Sequence, residues 1–230
     1  MIKCSICATE NDDFATICSS CRGYIQSKVD NLNLFETIWK LIESPREAFR
    51  RIVLSNHKNY IFLLSGLIGM ALAYTIFWYK TLGEQFASLL TLVGTGFLLG
   101  MPLGIVFVLL VSTVLQRTAR LFGGKVNLKN TYALVTYACM PIVLSLVFVF
   151  PIEIAIFGQD FFGRNPPPMV ISPVIYLVLI GLDVLTVAWS WFLLVEGMIV
   201  ANGFTRGKTV VVTLSVLLMT AGAASIIFFL

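Results

Sequence analysis

Five long apolar runs occupy the chain from residue 60 to its end, at 60–79, 87–115, 132–157, 170–201 and 209–230. A helix of about 20 apolar residues is needed to cross the hydrocarbon core of a bilayer. Each run is long enough to cross once, and the second is too short to cross twice. The pattern therefore predicts an all-α integral membrane protein with five transmembrane helices.

The segment ahead of the first run has a helical pattern of another kind. One apolar stripe follows helical spacing at Leu34, Phe35, Ile38, Trp39 and Ile42. After Ser44-Pro45 a second stripe alternates with arginines and consists of Ala48, Phe49, Ile52 and Val53. Neither stretch is long or apolar enough to span. We expect two amphipathic helices that either lie in the headgroup region or pack on the ends of the spans.

Two cysteine pairs mark the first 25 residues. Cys4-x2-Cys7 and Cys18-x2-Cys21 are separated by ten residues, several of them polar and turn-forming. Two such turns facing each other supply the four soft ligands that a tetrahedral zinc site requires. Disulfides or a dithiol redox pair are the alternatives, and iron is the second choice of metal. The pattern favours a zinc ribbon in a reducing compartment, with Cys139 as a small buried residue within a span.

Basic residues decide the expected orientation of the spans. The loop 116–131 carries Arg117, Arg120, Lys125 and Lys129 and no acidic residue. Short loops rich in Lys and Arg remain in the cytoplasm. The 202–208 turn and the stretch before residue 60 are also basic, and a five-span count puts them on the same side. We therefore expect the N-terminus inside and the C-terminus outside, in the plasma membrane if the protein is prokaryotic.

Composition supports a division of the chain into three parts. The 230 residues are 58% hydrophobic and only 12% charged, well outside the range of soluble domains. Residues 1–59 hold eight basic and seven acidic side chains, whereas residues 60–230 hold eight and five. The predicted domains are a zinc ribbon at 1–25, an amphipathic connector at 26–59 and a membrane domain at 60–230. The net charge of +4 is explained by the basic loops and does not indicate nucleic-acid binding.

Three acidic residues lie within or near the predicted spans, namely Glu153, Asp183 and Glu196. Ionisable groups inside a membrane are costly and are functional candidates by default. Glu196 is expected near the basic turn that contains Arg206 and Lys208. Asp183 is expected near mid-membrane, with Tyr137, Tyr176 or a serine as its hydrogen-bond partner. Its role is either a helix–helix hydrogen bond or a proton or substrate relay.

Small residues in the first two spans predict close helix packing. Gly96, Gly100 and Gly104 recur every four residues, and the first span has a similar face at Ser65, Gly69 and Ala73. Such ridges let two helices approach closely in a membrane. Motifs of catalysis do not occur: the sequence has no phosphate-binding P-loop, no nucleophile elbow and no HExxH, and its single histidine is His57. The expectation is a non-enzyme.

Four segments stand in order along the chain: Ser44-Pro45-Arg46-Glu47-Ala48-Phe49, Leu121-Phe122-Gly123-Gly124, Tyr137-Ala138-Cys139-Met140-Pro141, and 189–197 followed by the turn 203–208. Their order and spacing resemble the Yip-one (Ypt/Rab-interacting protein) domain family of five-span membrane proteins. A zinc ribbon ahead of the domain is similar to a prokaryotic arrangement. In eukaryotic members the family implies binding of Rab-type GTPases, and an Asp-Leu-Tyr-Gly-Pro motif that this chain lacks. The resemblance implies the fold and a membrane-organising role.

Two functions remain open from the sequence. The first is a membrane scaffold or adaptor whose zinc head binds a protein partner. The second is a transporter or lipid-handling protein that uses Asp183. A transporter predicts Asp183, Tyr137 and Tyr176 around one cavity, whereas a scaffold predicts them buried singly. The expected cofactor is structural Zn²⁺, and the expected partners are the bilayer and a protein, with a second copy of the chain as a further option.

Overall fold

The computed structural model describes the backbone of residues 2–4, 6–23, 25–26 and 29–229, and the side chains of these except 29, 30 and 221–229. Contacts divide the chain into two compact units, Met1–Asn59 and Tyr60–Leu230. We call them the head and the membrane unit and describe each separately. The expected division of the head itself into a ribbon at 1–25 and a connector at 26–59 stays a prediction.

The head begins with a short antiparallel pair of strands, β1 (Ile2–Lys3) and β2 (Glu10–Asn11). A second, parallel pair joins β3 (Val29–Asn31) to β4 (Ser55–His57). The crossover between these parallel strands consists of α1 (Leu34–Glu43) and α2 (Pro45–Leu54). Both amphipathic helices of the connector are therefore present, and their buried contacts come from Leu41 of α1 and Ala48, Phe49 and Ile52 of α2.

Helix α2 differs from its sequence pattern at both ends. Ser44 is its N-cap, but its side chain makes no capping hydrogen bond. At the other end, buried Lys58 donates from Nζ to the backbone oxygens of Ile52, Val53 and Ser55. A lysine at this position donates hydrogen bonds to carbonyl oxygens that have no partner within the helix, and its positive charge suits the C-terminal end of the helix dipole. Lys58 therefore serves the fold of the head, in addition to adding positive charge before the first span.

All the secondary structure described in the membrane unit is helical, and short loops connect the helices. Its long helices are α3 (Ile61–Tyr79), α4 (Leu89–Leu121), α9 (Pro173–Asn202) and α10 (Arg206–Phe229). Three shorter helices follow one another between α4 and α9: α5 (Leu128–Ala138), α6 (Met140–Phe148) and α7 (Phe150–Phe157). A single turn, α8 (Pro168–Ile171), precedes α9. Among the described residues, four segments are long and apolar enough to span: Ile61–Tyr79, Leu89–Leu121, Leu128–Phe162 and Pro173–Asn202.

Prolines break the third span but not the second. The helix of the third span is interrupted at Cys139, between α5 and α6, and again at Val149, between α6 and α7. Pro141 and Pro151 each follow two residues after a break. Proline lacks the backbone N–H and its ring collides with the carbonyl four residues earlier, so each break falls next to one. Helix α4, in contrast, runs continuously through Pro102.

The fifth predicted span corresponds to α10, whose final residues lie outside the described side chains. Its described face packs against α4 and α9 through Thr209, Val212, Thr213 and Val216, spaced as one helical stripe. Four spans are thus established by length and apolarity, and the fifth remains a prediction.

The glycine ridge of α4 packs directly on the small face of α3. A Cβ atom on Gly104 would stand 2.0 Å from the backbone oxygen of Ser65, and one on Gly69 would stand 2.0 Å from that of Gly100. No side chain fits at these points because backbone meets backbone. Gly96 accommodates the ring of Tyr74 instead, at 2.1 Å from its hypothetical Cβ. The close approach expected from the spacing of small residues is therefore formed between these two helices.

Loops of the membrane unit meet in two pairs. At one end, Gln159 donates from Nε2 to the backbone oxygens of Gly83 and Phe86, both at 2.7 Å. At the other end, Asn202 accepts from the backbone amides of Lys125 and Val126 at 3.1 and 3.3 Å. The basic loop after α4 and the turn after α9 therefore share one end of the bundle. Which end faces the cytoplasm stays a prediction from the charges.

An aromatic cluster closes the first of these ends. Phe161 and Phe162 are both buried in this cluster. Phe162 packs near Tyr74 and Phe150, and the rings of Tyr74 and Phe150 stack at 4.4 Å. The pair is internal because the 3₁₀ turn Gly158–Phe162 folds back over the helix ends.

Candidate functional site

The four N-terminal cysteines form one cluster. Their sulfur atoms all lie within 4.8 Å of one another, with Cys4 3.6 Å from Cys21 and Cys7 3.5 Å from Cys18. These separations are too long for disulfides, and all four are free thiols. Around a metal with bonds of about 2.3 Å, tetrahedral sulfurs stand about 3.8 Å apart. The cluster can therefore hold a metal ion, and its geometry fits the group that the cysteine spacing predicts.

Backbone turns position the cysteines. Each pair closes a tight turn: the amide of Ala8 donates to the oxygen of Cys4 at 3.0 Å, and that of Arg22 donates to the oxygen of Cys18 at 3.1 Å. Asn11 on β2 links the second turn to the strand pair, because its Oδ1 accepts from the amide of Ser19 at 2.8 Å and its Nδ2 approaches Cys18 Sγ at 3.5 Å. The sequence pattern predicted the ligands but not the role of Asn11.

Charge within the cluster is unevenly distributed between the thiols. Hydrogen bonds with the side chain and backbone of Thr9 lower the pKa of Cys7 to about 6. A backbone hydrogen bond at Gly23 lowers the pKa of Cys21, but the neighbouring thiol of Cys7 and desolvation outweigh it and raise that pKa to about 12. Four thiolates so close together repel one another, and a cation that binds all of them removes this repulsion.

A second group of candidate residues lies inside the membrane unit. Asp183 of α9 accepts a hydrogen bond from the Ser145 hydroxyl of α6. Glu153 of α7 is 3% exposed, and its carboxyl group interacts with that of Asp183. Its Oε1 atom is buried and has no hydrogen-bond partner. A serine was among the partners expected for Asp183, whereas its pairing with a second carboxyl group was not expected.

The carboxyl pair lines a groove between α3 and α9, with α6 and α7 as its floor. Its cavity has a volume of 460 Å³. Aromatic rings form much of the inner wall, from Tyr74, Trp78, Phe150 and Phe161. Val184 and Val187 at the rim are 64% and 57% exposed, so the groove opens sideways on the surface that faces lipid. The lining contains no Lys or Arg.

The remaining candidate residues lie away from this groove. Glu196 is 3% exposed and forms an ion pair with Arg206, whose Nη2 is 3.1 Å from its Oε1. Tyr137 is fully buried and does not line the groove. The Tyr176 hydroxyl accepts from Trp78 Nε1 at 3.2 Å and is likewise outside the lining. The structure thus brings Asp183 together with Glu153 and Ser145, and not with the two tyrosines.

The Leu-Phe-Gly-Gly segment has a structural role at the opposite end of the bundle. Gly123 adopts a positive φ of 81° directly after α4, where a left-handed residue ends the helix. A Cβ atom on Gly124 would stand 2.7 Å from Asn202 Oδ1. The two glycines therefore let the basic loop turn and reach the end of α9. This contact accounts for one of the segments that carried the family resemblance.

Fold and geometry define a multi-pass helical membrane protein whose small head has a metal-compatible cysteine cluster. The family model of the Yip1 domain matches residues 39–228, and the chain belongs to this family. The expected resemblance to the Yip-one family is thereby confirmed. No curated protein and no solved structure matches the chain. The match begins within α1, so the cysteine cluster precedes the family domain.

Proposed function

We propose that the protein is a non-enzymatic membrane adaptor of the Yip1 type, whose cytoplasmic zinc ribbon binds a protein partner. The cysteine cluster is the observation that carries this proposal. It lies in a polar head that precedes the family domain, and its four sulfurs have a spacing that fits tetrahedral zinc. Zinc ribbons without an open coordination position are structural, so the metal supplies folding rather than chemistry.

The exposed side chains of the ribbon support a docking role. Ile6 and Ile17 are 70% and 52% exposed, beside the two cysteine turns. Large apolar side chains in a small polar module are costly to leave in water, and they are typical anchors of an interface core. We place the partner surface at these two isoleucines. Binding through them depends on the metal, because the metal fixes the turns that present them.

Orientation in the membrane forms part of the proposal. We propose that the chain crosses the membrane five times, with the head and the basic loops 116–131 and 202–208 in the cytoplasm and the C-terminus outside. Reporter fusions after Lys129 and Arg206 are expected to read cytoplasmic, and a fusion after Arg164 external. An external reading at Lys129 would contradict the orientation, because that loop has the strongest positive charge of the membrane unit.

The adaptor role is tested on the full chain in its native membrane, with a photoreactive amino acid at position 6 or 17. We expect a protein adduct at both positions that disappears when Cys7→Ser removes one metal ligand. Ser20→Ala, an exposed neighbour within the second cysteine turn, is the matched control and should keep the adduct. Adducts that persist with Cys7→Ser, or adducts with lipid only, would contradict docking through a metal-folded head.

A second candidate function is transport or lipid handling. One observation favours it: Glu153 and Asp183 share a groove that opens towards lipid. The arrangement differs from the one expected of a transporter, because Tyr137 and Tyr176 do not line the groove. Asp183→Asn separates the two functions. A well-folded variant with full adaptor activity favours the scaffold, and a well-folded variant with the phenotype of a deletion favours transport.

A further inference from the structure

The groove between α3 and α9 combines features that a packing defect does not explain. It is mostly apolar, its rim faces lipid, and its polar groups converge at one place. Glu153 carries a buried oxygen without a partner at that place, next to a second carboxyl group. A buried acceptor left without a hydrogen bond loses free energy that a bound donor would restore.

The charges around the groove select the kind of ligand. Acidic groups enter the lining from α7 and α9, and the lining residues from α3 and α6 carry no charge. No cationic side chain in the lining balances a negative charge on either carboxyl group. A single positive charge balances it. A phosphate group would be repelled, which excludes phospholipid headgroups from the carboxyl end.

Aromatic rings add a second preference for a cation. The faces of Trp and Tyr rings attract ammonium groups, most strongly where water is excluded. Tyr74 and Trp78 both line the groove. The other wall is aliphatic, with Ile142, Leu146 and Ile180. Cavities of this volume bind molecules of drug or single-chain lipid size.

We propose that this groove binds a cationic amphiphile, an ammonium group on an apolar body that enters sideways from the bilayer. The ammonium group lies between Glu153 and Asp183 and donates to the unpartnered Oε1 atom of Glu153. The apolar body lies along the aliphatic wall towards the rim at Val184 and Val187. This inference concerns the ligand of the groove and stands whether the protein is an adaptor or a transporter.

The test uses the full chain in nanodiscs of zwitterionic lipid and two photoreactive probes of equal length. One is a dodecylamine with a terminal diazirine, and the other is the corresponding dodecanol. After irradiation, peptide mapping measures labelling of the groove-lining segments of α3, α6 and α9. We expect the amine to label them about tenfold more than the alcohol, because one charge-assisted hydrogen bond accounts for that ratio. Equal labelling by both probes would overturn the proposal and leave a groove for lipid tails only.

Variants locate the preference within the groove. The double variant Glu153→Gln, Asp183→Asn should lower amine labelling to the level of the alcohol, with alcohol labelling unchanged. Glu196→Gln removes another buried carboxyl group of α9 that does not line the groove, and it should keep the amine preference. If the double variant still favours the amine over the alcohol, the ammonium group does not bind at Glu153 and Asp183.

Competition on the unmodified protein gives a result even if the double variant does not fold. Unlabelled dodecylamine should displace the amine probe, whereas dodecanol and dodecyl phosphate should not. Equal displacement by dodecyl phosphate would show that the carboxyl pair does not select the charge, and it would overturn the proposal. Displacement by the amine alone supports a site that recognises an ammonium group, whether a lipid or another hydrophobic molecule carries that group.

Discussion

The head and the membrane unit are stabilised by different means. In the cysteine-rich part of the head, the buried side chains among the described residues are those of Cys4, Cys18 and Asn11. The residues described in this part form no apolar core, and a metal bound by the cysteines would supply the stabilisation that burial supplies elsewhere. In the membrane unit, glycine backbones of α3 and α4 touch, and lipid removes much of the hydrophobic drive for helix association.

This difference predicts that the two units respond to different perturbations. Removal of the metal should destabilise the head alone. Added side-chain volume at the helix contacts should destabilise the membrane unit alone.

The largest effect is expected at the metal ligands. Cys18→Ser should abolish metal binding and unfold the ribbon, because the binding free energy of structural zinc in small modules is about 10–16 kcal/mol at neutral pH. Elemental analysis of the purified full chain should give one zinc per chain for the unmodified protein and none for the variant. Ser20→Ala should retain the zinc. A chain without stoichiometric metal, or with iron in its place, would contradict the zinc site.

The next effect is expected at the backbone contact between α3 and α4. Gly104→Ala places a methyl group 2.0 Å from the Ser65 oxygen, so the helices have to separate. We expect a loss of about 3 kcal/mol in the stability of the membrane unit, at the upper end of the usual cost of overpacking. Gly94→Ala, on the same helix with nothing within 4 Å, is the matched control and should be neutral or slightly stabilising. Thermal unfolding in detergent measures both, and equal melting temperatures would refute the close contact.

A smaller effect is expected at the ion pair of α9 and α10. Arg206→Ala removes the guanidinium group from buried Glu196, and we expect a loss of about 1–3 kcal/mol. Glu196→Gln should cost less, because it removes the buried charge together with its ion-pair interaction. Thermal unfolding of the two single variants and the double variant gives the coupling between them. A coupling of zero would show that the pair contributes nothing to the bundle.

The smallest effect is expected for the two ion pairs of α1 and α2 at low pH. Arg51 lowers the pKa of Glu36 by a hydrogen bond and its charge, and Lys40 lowers the pKa of Glu47 in the same way. A lowered pKa in the folded state stabilises the head above the ordinary pKa of glutamate. This contribution is lost as the pH falls from that value through the lowered one. Circular dichroism of the zinc-bound chain should show a small acid-induced loss that Arg51→Gln reduces.

Much of the fold follows from local patterns in the sequence. Four spans follow from apolar length, α1 and α2 from apolar spacing, and the cysteine cluster from two identical motifs with a suitable separation. The contact of α3 with α4 follows from the spacing of small residues. These features are predictable because each depends on residues that are close in the sequence or on one repeated spacing.

Other features depend on how distant segments meet, and the sequence did not indicate them. Glu153 and Asp183 belong to different helices, and their pairing depends on how the broken third span packs against α9. The breaks at Cys139 and Val149 turn that span, and a pattern of apolar residues does not give the resulting directions. Burial of Phe161 and Phe162 likewise depends on a loop that folds back. Local residue spacing does not determine which distant segments come into contact.

We hold that the head folds around a metal independently of the membrane unit, and hydrogen exchange is the test of this claim. The full chain in nanodiscs is measured by mass spectrometry before and after metal removal by a chelator. Amides of Cys4, Ala8, Cys18 and Arg22, which are hydrogen-bonded in the cysteine turns, should lose protection. Amides of α3 and α4 should keep theirs. Unchanged protection in the cysteine turns, or equal loss in both units, would contradict the claim.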